Sequence, residues 1–379
     1  MEAHLAPHNP FSPTFGASPP VLAGRDHIIE DIGDALVTGP SHPDYTALLI
    51  GVSGSGKTAM LNAVEDLARS HGWLVLADNA APEGLPARLA RGASRLLNEL
   101  SLPEPRRRIT SLTAAGFGIG FERSSTVQPG YDLRGVLSAL GDVLATGGTG
   151  LMISLDELQS GDLDEIREFG SVLQHVTRRE QRPVAFVGAG LPQIEESLLS
   201  GDAATFLQRC SRHDIDRLDP EATRLAIARP IADRGGRIDP QALGKAIAAT
   251  SGYAFMVQLV GFHSWKAAGT PVHIGVDDVE VGISEARRRV GRLVLAPTWN
   301  ALSNVDRRFL LAMATDDDES RLAEIAARLG VSTNYAGVYR RRLINAGMII
   351  TTGKGRVALA HHAARDWLRD QAKKADYLS

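Results

Sequence analysis

The feature that most constrains this chain is the octapeptide Gly51-Val52-Ser53-Gly54-Ser55-Gly56-Lys57-Thr58, which fits the pattern G-x-x-x-x-G-K-[ST] in full. An apolar run over 45–50 precedes it, and apolar residues at helical spacing follow over 58–70. Glycines at these positions let backbone N–H groups converge on phosphate oxygens, and the start of a helix adds a positive field. The sequence therefore predicts a phosphate-binding loop between a strand and a helix.

Strand-like and helix-like segments alternate around this loop. Further apolar runs predict strands at 73–77, 151–155 and 183–187, and amphipathic spacing predicts helices at 85–100 and 164–177. Strands separated by helices favour a parallel sheet covered on both faces. The segment 109–121 is rich in Thr, Gly and Phe and has no helical period, so we interpret it as an inserted strand or hairpin.

A second motif lies at the end of the predicted strand 151–155, where two acids, Asp156 and Glu157, follow directly. Ligand sites of α/β proteins lie at the carboxyl ends of parallel strands. We expect Lys57 to bind the β- and γ-phosphates of ATP and the Thr58 hydroxyl to bind Mg²⁺. Asp156 would hold the same ion, directly or through water, and Glu157 would polarise the water that attacks the nucleotide.

Downstream of Asp219 the chain becomes helical. Four helix-length stretches, divided by Gly and Pro residues, predict an all-α region over 221–233, 240–250, 253–268 and 276–290. Helices at 300–314 and 321–329 follow. The next elements are a short turn, a helix at 335–346, and two strands around the tip Gly353-Lys354-Gly355 within 347–359. This order predicts a winged helix-turn-helix.

The winged helix is predicted to bind double-stranded DNA. Ala336, Tyr339 and Leu343 would face inward, which leaves Arg341 and Arg342 on the opposite face of the recognition helix. Lys354 and Arg356 would reach phosphates or the minor groove from the wing. Winged helices also dock on proteins, so a protein partner remains an alternative.

Charge is distributed unevenly along the chain. The 379 residues carry a net charge of −3, but 320–379 contain eleven Lys or Arg and four acids, a net charge of +7 against −10 for the rest. A basic end on an acidic body is typical of a module that faces a polyanion. A chance cluster of solvated charge would give the same numbers.

The segment Val21-Leu22-Ala23-Gly24-Arg25-Asp26 resembles the adenine-side box of AAA+ ATPases in the origin-recognition initiator clade and their Orc-like bacterial relatives. The four helices after Pro220 resemble the AAA+ lid. The resemblance implies an α/β fold with a P-loop AAA+ parallel-sheet core, an all-α lid and a C-terminal winged helix-turn-helix. It implies a tail (1–20), an ATPase core (21–218), a lid (219–293) and a winged-helix domain (294–379). The implied nucleotide-binding residues are Gly24, Arg25, Gly51, Gly54, Ser55, Gly56, Lys57, Thr58 and Ala59.

Two departures from that family concern the γ-phosphate. AAA+ proteins often have a polar sensor residue after the fourth strand, where this chain has Gly188-Ala189-Gly190, and a lid arginine where it has 252–255, Gly-Tyr-Ala-Phe. Both departures predict slow, switch-like hydrolysis. Arg209 matches the usual position of an arginine finger, with Arg212 as the alternative, and a finger that acts in trans implies a homo-oligomer.

Composition excludes several other classes. Cys210 is the only cysteine, so there is no disulfide framework, and no apolar run reaches the roughly 18 residues of a membrane span. The first twenty residues lack a basic and an apolar region, so we expect a cytoplasmic protein with no membrane partner. Two alternatives to a DNA-binding ATPase stay open: a STAND-like regulatory ATPase, and a transposition- or phage-linked ATPase that recruits another enzyme to DNA.

Overall fold

The computed structural model describes residues 8–14, 16–81, 83–100, 132–192, 194, 205–360 and 364–374. The chain divides into two compact units. The core unit comprises Gly24–Gly51 and Gly56–Ile215. The helical unit comprises Met1–Ala23, Val52–Ser55 and Asp216–Ser379. The segment 109–121, predicted to be an inserted strand or hairpin, lies outside the described residues.

The described part of the core unit contains a five-stranded parallel sheet in the order β2-β3-β4-β1-β5. Its strands are β1 (Thr46–Ile50), β2 (Leu74–Asn79), β3 (Leu151–Asp156), β4 (Val184–Gly190) and β5 (Ser211–Asp214). β1, β4 and the first five residues of β3 are buried throughout, as expected of strands covered on both faces. The predicted parallel sheet is confirmed.

Helices cover both faces of this sheet. They are α1 (Asp26–Thr38), α2 (Lys57–Ser70), α3 (Leu85–Leu100), α4 (Leu133–Thr146), α5 (Leu163–Gln174) and the single turn α6 (Thr205–Gln208). Alternate residues of β1 face opposite layers, because side chains alternate along a strand. Leu49 packs in the cluster that includes α1 and α2, whereas Leu48 packs in the cluster that includes α3, α4 and α5.

The helical unit begins its main run with four helices. They are α7 (Pro220–Asp233), α8 (Pro240–Thr250), α9 (Ala254–Ala268) and α10 (Val276–Val290), with a two-residue strand pair, β6 (Arg237–Ile238) and β7 (His273–Ile274), between them. The Asp219 side chain caps α7 by accepting from the N–H of Ala222 at 2.7 Å, and Pro220 occupies the first helical turn. These four helices agree with the predicted ones to within one residue at each end.

The rest of the helical unit consists of shorter helices and strands. They are α11 (Ala296–Ala301), α12 (Asn304–Met313), β8 (Ser320–Arg321), α13 (Leu322–Leu329), α14 (Thr333–Asn345), β9 (Ile349–Gly353), β10 (Arg356–Leu359) and α15 (Ala364–Lys374). β10 pairs antiparallel with both β8 and β9. The elements follow the order that the sequence predicts for a winged helix. The predicted helix 300–314 is interrupted, because Ser303 starts a new helix by capping the N–H of Asp306.

The described part of the N-terminal tail packs on the helical unit. Phe11 is buried against α9, where a Cβ on Gly261 would meet its ring at 2.4 Å. The Asn9 side chain donates to the carbonyl of Phe262 at 2.9 Å. No helix in the described ranges is long and apolar enough to cross a membrane.

Candidate nucleotide-binding site

The phosphate loop has the backbone that its glycines permit. Gly54 (φ +75°) and Gly56 (φ +103°) both lie in the left-handed region, which residues with a Cβ rarely adopt. Ser55 between them is 4% exposed, and its Oγ has no hydrogen-bond partner among the described residues. A buried hydroxyl without a partner is costly, so the loop suits a ligand that brings acceptor oxygens.

Lys57 and Thr58 occupy the first turn of α2, directly after the loop. Lys57 is buried, and this burial lowers the pKa of its ammonium group, while the carboxylates of Glu157 and Asp156 act in the opposite direction. An ammonium group held away from bulk water attracts phosphate more strongly than an exposed one. The Thr58 hydroxyl donates a 2.7 Å hydrogen bond to Oδ2 of Asp156.

This pair fits a magnesium ion. A hydroxyl oxygen and a carboxylate oxygen from neighbouring elements are the hard oxygen ligands that Mg²⁺ accepts, together with water and nucleotide phosphates. Thr58 and Asp156 would hold the ion, and the bound ion would neutralise charge on the phosphates. The structure thus brings together the two residues that the sequence assigns to the metal.

Glu157 follows β3 in a strained backbone position, with φ +55°, and the side chain of Gln159 donates to its carboxylate. Oε1 of Gln159 in turn accepts from the N–H of Leu191, just after β4, at 3.0 Å. The amide therefore joins the predicted catalytic carboxylate to the end of β4. Gln159 was not predicted, although a polar residue two positions after an acid pair is visible in the sequence.

A buried hydrogen bond between α2 and β3 supports the positions of Lys57 and Asp156. Ser154 on β3 donates to Oε1 of Glu65 on α2 at 2.7 Å, and Arg69 forms an ion pair with Glu65 at 3.1 Å. The bond ties the helix that carries Lys57 to the strand that carries Asp156. Both polar residues fall within apolar patterns, so neither was predicted to contribute to the site.

Within the helical unit, the start of α9 holds the segment Val52–Ser55. The Tyr253 hydroxyl donates to the carbonyl of Ser53 at 3.0 Å, and the N–H of Phe255 donates to the carbonyl of Gly54 at 3.2 Å. Burial raises the pKa of the Tyr253 phenol above its ordinary value, so the hydroxyl keeps its proton. The position where a lid arginine was expected thus contacts the loop backbone.

The other predicted site residues lie in different surroundings. Gly24 has φ +70°, Arg25 is the 8% exposed residue that precedes α1, and Ala59 is buried in α2. Arg209 is exposed after α6, and Arg212 is exposed on β5. Their roles in adenine binding and in a neighbouring subunit's site stay predictions.

The predicted DNA-binding residues fall into two groups. Arg342 forms an ion pair with Asp306 at 3.0 Å, and Arg356 forms one with Glu319 at 3.1 Å. Arg341 on α14 and Lys354 at the hairpin tip are exposed and make no ion pair within the described ranges. Arg341 and Lys354 are therefore more available to an external anion than Arg342 and Arg356.

Comparisons with known proteins agree with this geometry. Residues 21–187 match the AAA ATPase domain, and residues 292–368 match a domain of unknown function, DUF8462. The chain resembles the Walker-type ATPase PABY2304 of Pyrococcus abyssi, with a TM-score of 0.68, 14% identity and coverage of 92% of this chain and 96% of that one. No curated protein matches it in sequence.

A second structural likeness is to the ORC2 protein of Aeropyrum pernix, solved as ADPNP–ADP complexes. The TM-score is 0.59 at 14% identity, covering 96% of this chain and 98% of that one. Both likenesses concern the fold, and both confirm the α/β class with a P-loop core. With its phosphate loop, its acid pair and the matched domain over 21–187, the chain contains an AAA ATPase domain, and its fold resembles that of the Walker-type ATPase and of the archaeal ORC2 protein.

Proposed function

We propose that this ATPase hydrolyses Mg²⁺-ATP slowly and that its nucleotide state controls its assembly on double-stranded DNA in the cytoplasm. The observation that carries the hydrolytic part is the Thr58–Asp156 bond beside the buried Lys57. A metal-ligand pair and a desolvated cation at one loop are what a phosphoryl-transfer site requires.

Slow turnover is supported by how Glu157 is held. Its carboxylate accepts a hydrogen bond from Gln159, so one oxygen is engaged before any water is polarised. The last three residues of β4 are Gly188, Ala189 and Gly190, so the end of this strand offers no polar side chain to a γ-phosphate. A carboxylate must be free to accept a proton to act as a general base.

DNA binding is proposed for the C-terminal region. The Ser332 hydroxyl caps α14 by accepting from the N–H of Tyr335 at 3.2 Å, and Ala336 and Leu343 are fully buried. Arg341 therefore lies on the outer face, where a recognition helix contacts DNA, and Lys354 lies at the hairpin tip. Arg342 and Arg356 would contribute only if DNA displaced their present partners.

Assembly is proposed to place Arg209 in the site of a neighbouring subunit. Its exposure after α6 supports a role outside its own unit. Mixing Arg209→Ala with Lys57→Ala tests this, because each variant supplies what the other lacks at a shared interface. Partial recovery of hydrolysis is expected, and no recovery in a mixture shown to co-assemble would exclude a finger in trans.

Duplex binding tests the DNA proposal. Binding of a labelled duplex is measured by fluorescence anisotropy over a salt series for the wild type, Arg341→Gln/Lys354→Gln and the control Arg217→Gln/Arg234→Gln. The variant Arg341→Gln/Lys354→Gln, which we call the helix variant, should lower the slope of log K against log salt by about 1.8, or about 0.9 for each phosphate contact. A wild type that binds no duplex would disprove the proposal.

A protein-docking role for the same region is the second candidate. Tyr335 is 46% exposed and Val338 is 56% exposed on α14, and Val338 lies one turn before Arg341. Exposed aromatic and apolar side chains are enriched at protein interfaces. This STAND-like function becomes the better one if the helix variant binds DNA like the wild type at every salt concentration.

A further inference from the structure

A basic cleft lies between α9 and α10, in the part of the helical unit that precedes the predicted winged helix. Its volume is about 620 Å³, within the range of roughly 300–1,000 Å³ typical of ligand sites. Four of its lining residues are cations and one is an acid: Lys266, Arg288, Arg289, Arg292 and Glu285. We name this site the α9–α10 cleft.

Three of the four cations are available to a ligand. Arg288 forms an ion pair with Glu285, and Glu285 is the only acid among the lining residues. Lys266, Arg289 and Arg292 are exposed and make no ion pair in the part of the chain that the structure describes. The cleft therefore holds three uncompensated positive charges.

Helix dipoles favour Lys266 and Arg289, which lie in the last turns of two different helices, but they do not favour bringing these cations together in one cleft. Cations in the last turn of a helix interact favourably with its dipole, which accounts for the arginines that end α10. Lys266 comes from the last turn of a second helix, α9, and Arg292 lies beyond the end of α10. Like charges repel one another, so an anion bound among these three cations would relieve their repulsion.

His263 provides an independent observation at the same place. It lines the cleft, and its Nε2 is enclosed without a hydrogen-bond partner in the described ranges. Burial lowers the pKa of this imidazole; the nearby Glu285 opposes the shift, whereas Arg289, Lys266 and Arg288 lower the pKa further. The neutral ring can donate one hydrogen bond to an anionic oxygen.

By contrast, most of the arginines that make the C-terminal end basic are already engaged. Arg328, Arg342, Arg356 and Arg369 form ion pairs with acids, and Arg365 donates to the carbonyl of Asp318. The net charge of 320–379 thus overstates the positive charge that region offers to DNA. The α9–α10 cleft adds three available cations in the same compact unit.

We propose that the α9–α10 cleft binds the phosphate backbone of DNA through Lys266, Arg289 and Arg292, as a second contact beside the C-terminal region. The inference rests on the proposed DNA-binding function and extends it to a second surface. Exposed cations on an open cleft suit a polyanion that passes over the surface, and guanidinium groups match phosphate geometry.

The test compares three charge-neutralising variants with the wild type in the duplex-binding salt series. The cleft variant is Lys266→Gln/Arg289→Gln/Arg292→Gln. Its matched control removes three exposed arginines of the same unit that do not line the cleft, as Arg217→Gln/Arg234→Gln/Arg237→Gln. The third is Arg341→Gln/Lys354→Gln.

We expect the slope of log K against log salt to fall by about 2.7 in the cleft variant, from about 0.9 per phosphate contact. Duplex affinity at low salt should fall at least about tenfold, with little change in the control. If the cleft variant is less stable to heat, Arg292→Gln alone should still lower the slope by about 0.9.

The outcomes separate this inference from the proposed function. A cleft variant with the slope of the control, beside a helix variant that loses affinity, overturns the inference and leaves the proposed function standing. A wild type that binds no duplex overturns both. Tighter binding of poly-glutamate than of duplex by the wild type, lost in the cleft variant, also overturns the inference, because the cleft would then suit an acidic protein.

Discussion

The hydroxyl of Thr58 donates a 2.7 Å hydrogen bond to Oδ2 of Asp156, joining the first turn of α2 to the end of β3. The two residues are 98 positions apart in the sequence, and the parallel sheet brings them together at the carboxyl ends of its strands. We propose that their oxygens share one divalent cation.

Thr58→Ala should therefore reduce Mg²⁺-dependent ATP hydrolysis by about tenfold to a hundredfold, because one oxygen ligand is removed. Thr58→Ser is the matched control and should retain most of the activity, since it keeps the hydroxyl. Turnover is measured across a magnesium titration. An unchanged magnesium requirement in Thr58→Ala would show that the hydroxyl does not hold the ion.

Glu157→Gln should bind ATP with nearly wild-type affinity and hydrolyse it about 10² to 10⁴ times more slowly, because an amide cannot accept the proton of the attacking water. Lys57→Ala should instead lose ATP binding, since the loop loses its side-chain cation. Equilibrium binding and turnover are measured separately. Equal losses of affinity in both variants would contradict the role assigned to Glu157.

Gln159→Ala should raise basal ATP turnover several-fold at unchanged ATP affinity, because the Glu157 carboxylate is released from its hydrogen bond to the amide. Ser160→Ala, which alters the same turn but keeps the backbone N–H that Ser160 donates to the Glu157 carbonyl, serves as the control. A fall in turnover would instead mean that Gln159 orients the carboxylate for catalysis.

Gly54→Ala should lower the melting temperature of the nucleotide-free protein. Gly54 has φ +75°, and an added Cβ would lie 2.1 Å from the Tyr253 hydroxyl. The left-handed conformation alone costs an L-residue about 1–2 kcal/mol. In a Tyr253→Ala background, Gly54→Ala should lower the melting temperature by less than it does in the wild type. A melting temperature equal to that of the wild type would show that the loop readily adopts another conformation.

Cys210 should resist alkylation in the folded protein. Burial raises the pKa of this thiol from 9.0 to about 12, so the reactive thiolate is scarce at pH 8. Iodoacetamide labelling followed by mass spectrometry should detect the adduct only after denaturation. Because the unfolded thiol ionises at lower pH, the free energy of unfolding should decrease as pH rises above about 9. Rapid labelling at pH 8 would contradict this burial.

Much of the core could be predicted because local pattern and global fold agree there. The octapeptide 51–58 requires a strand before it and a helix after it, and the apolar run that ends at Asp156 is long enough for a buried strand. These two motifs locate Lys57, Thr58, Asp156 and Glu157. The boundaries of the four helices after Asp219 could be predicted because prolines and glycines mark where helices start and stop.

The remaining features depend on tertiary contacts that no local pattern encodes. Glu65 and Ser154 are polar residues in apolar elements, and only the packing of α2 on β3 makes them partners. Arg342 was assigned to DNA because it stands among arginines, yet its nearest acid, Asp306, comes from another helix. Counting charges along the sequence could not show which arginines were already paired.

Nucleotide control of DNA binding is tested most directly by measuring duplex affinity, with and without ATP, for Glu157→Gln and Lys57→Ala side by side. The first variant should hold ATP without hydrolysing it, and the second should bind none, so they fix the two nucleotide states. Adding ATP should change the duplex affinity of Glu157→Gln by at least about tenfold and leave that of Lys57→Ala unchanged. Equal duplex affinities for both variants, with and without ATP, would contradict nucleotide control of DNA binding.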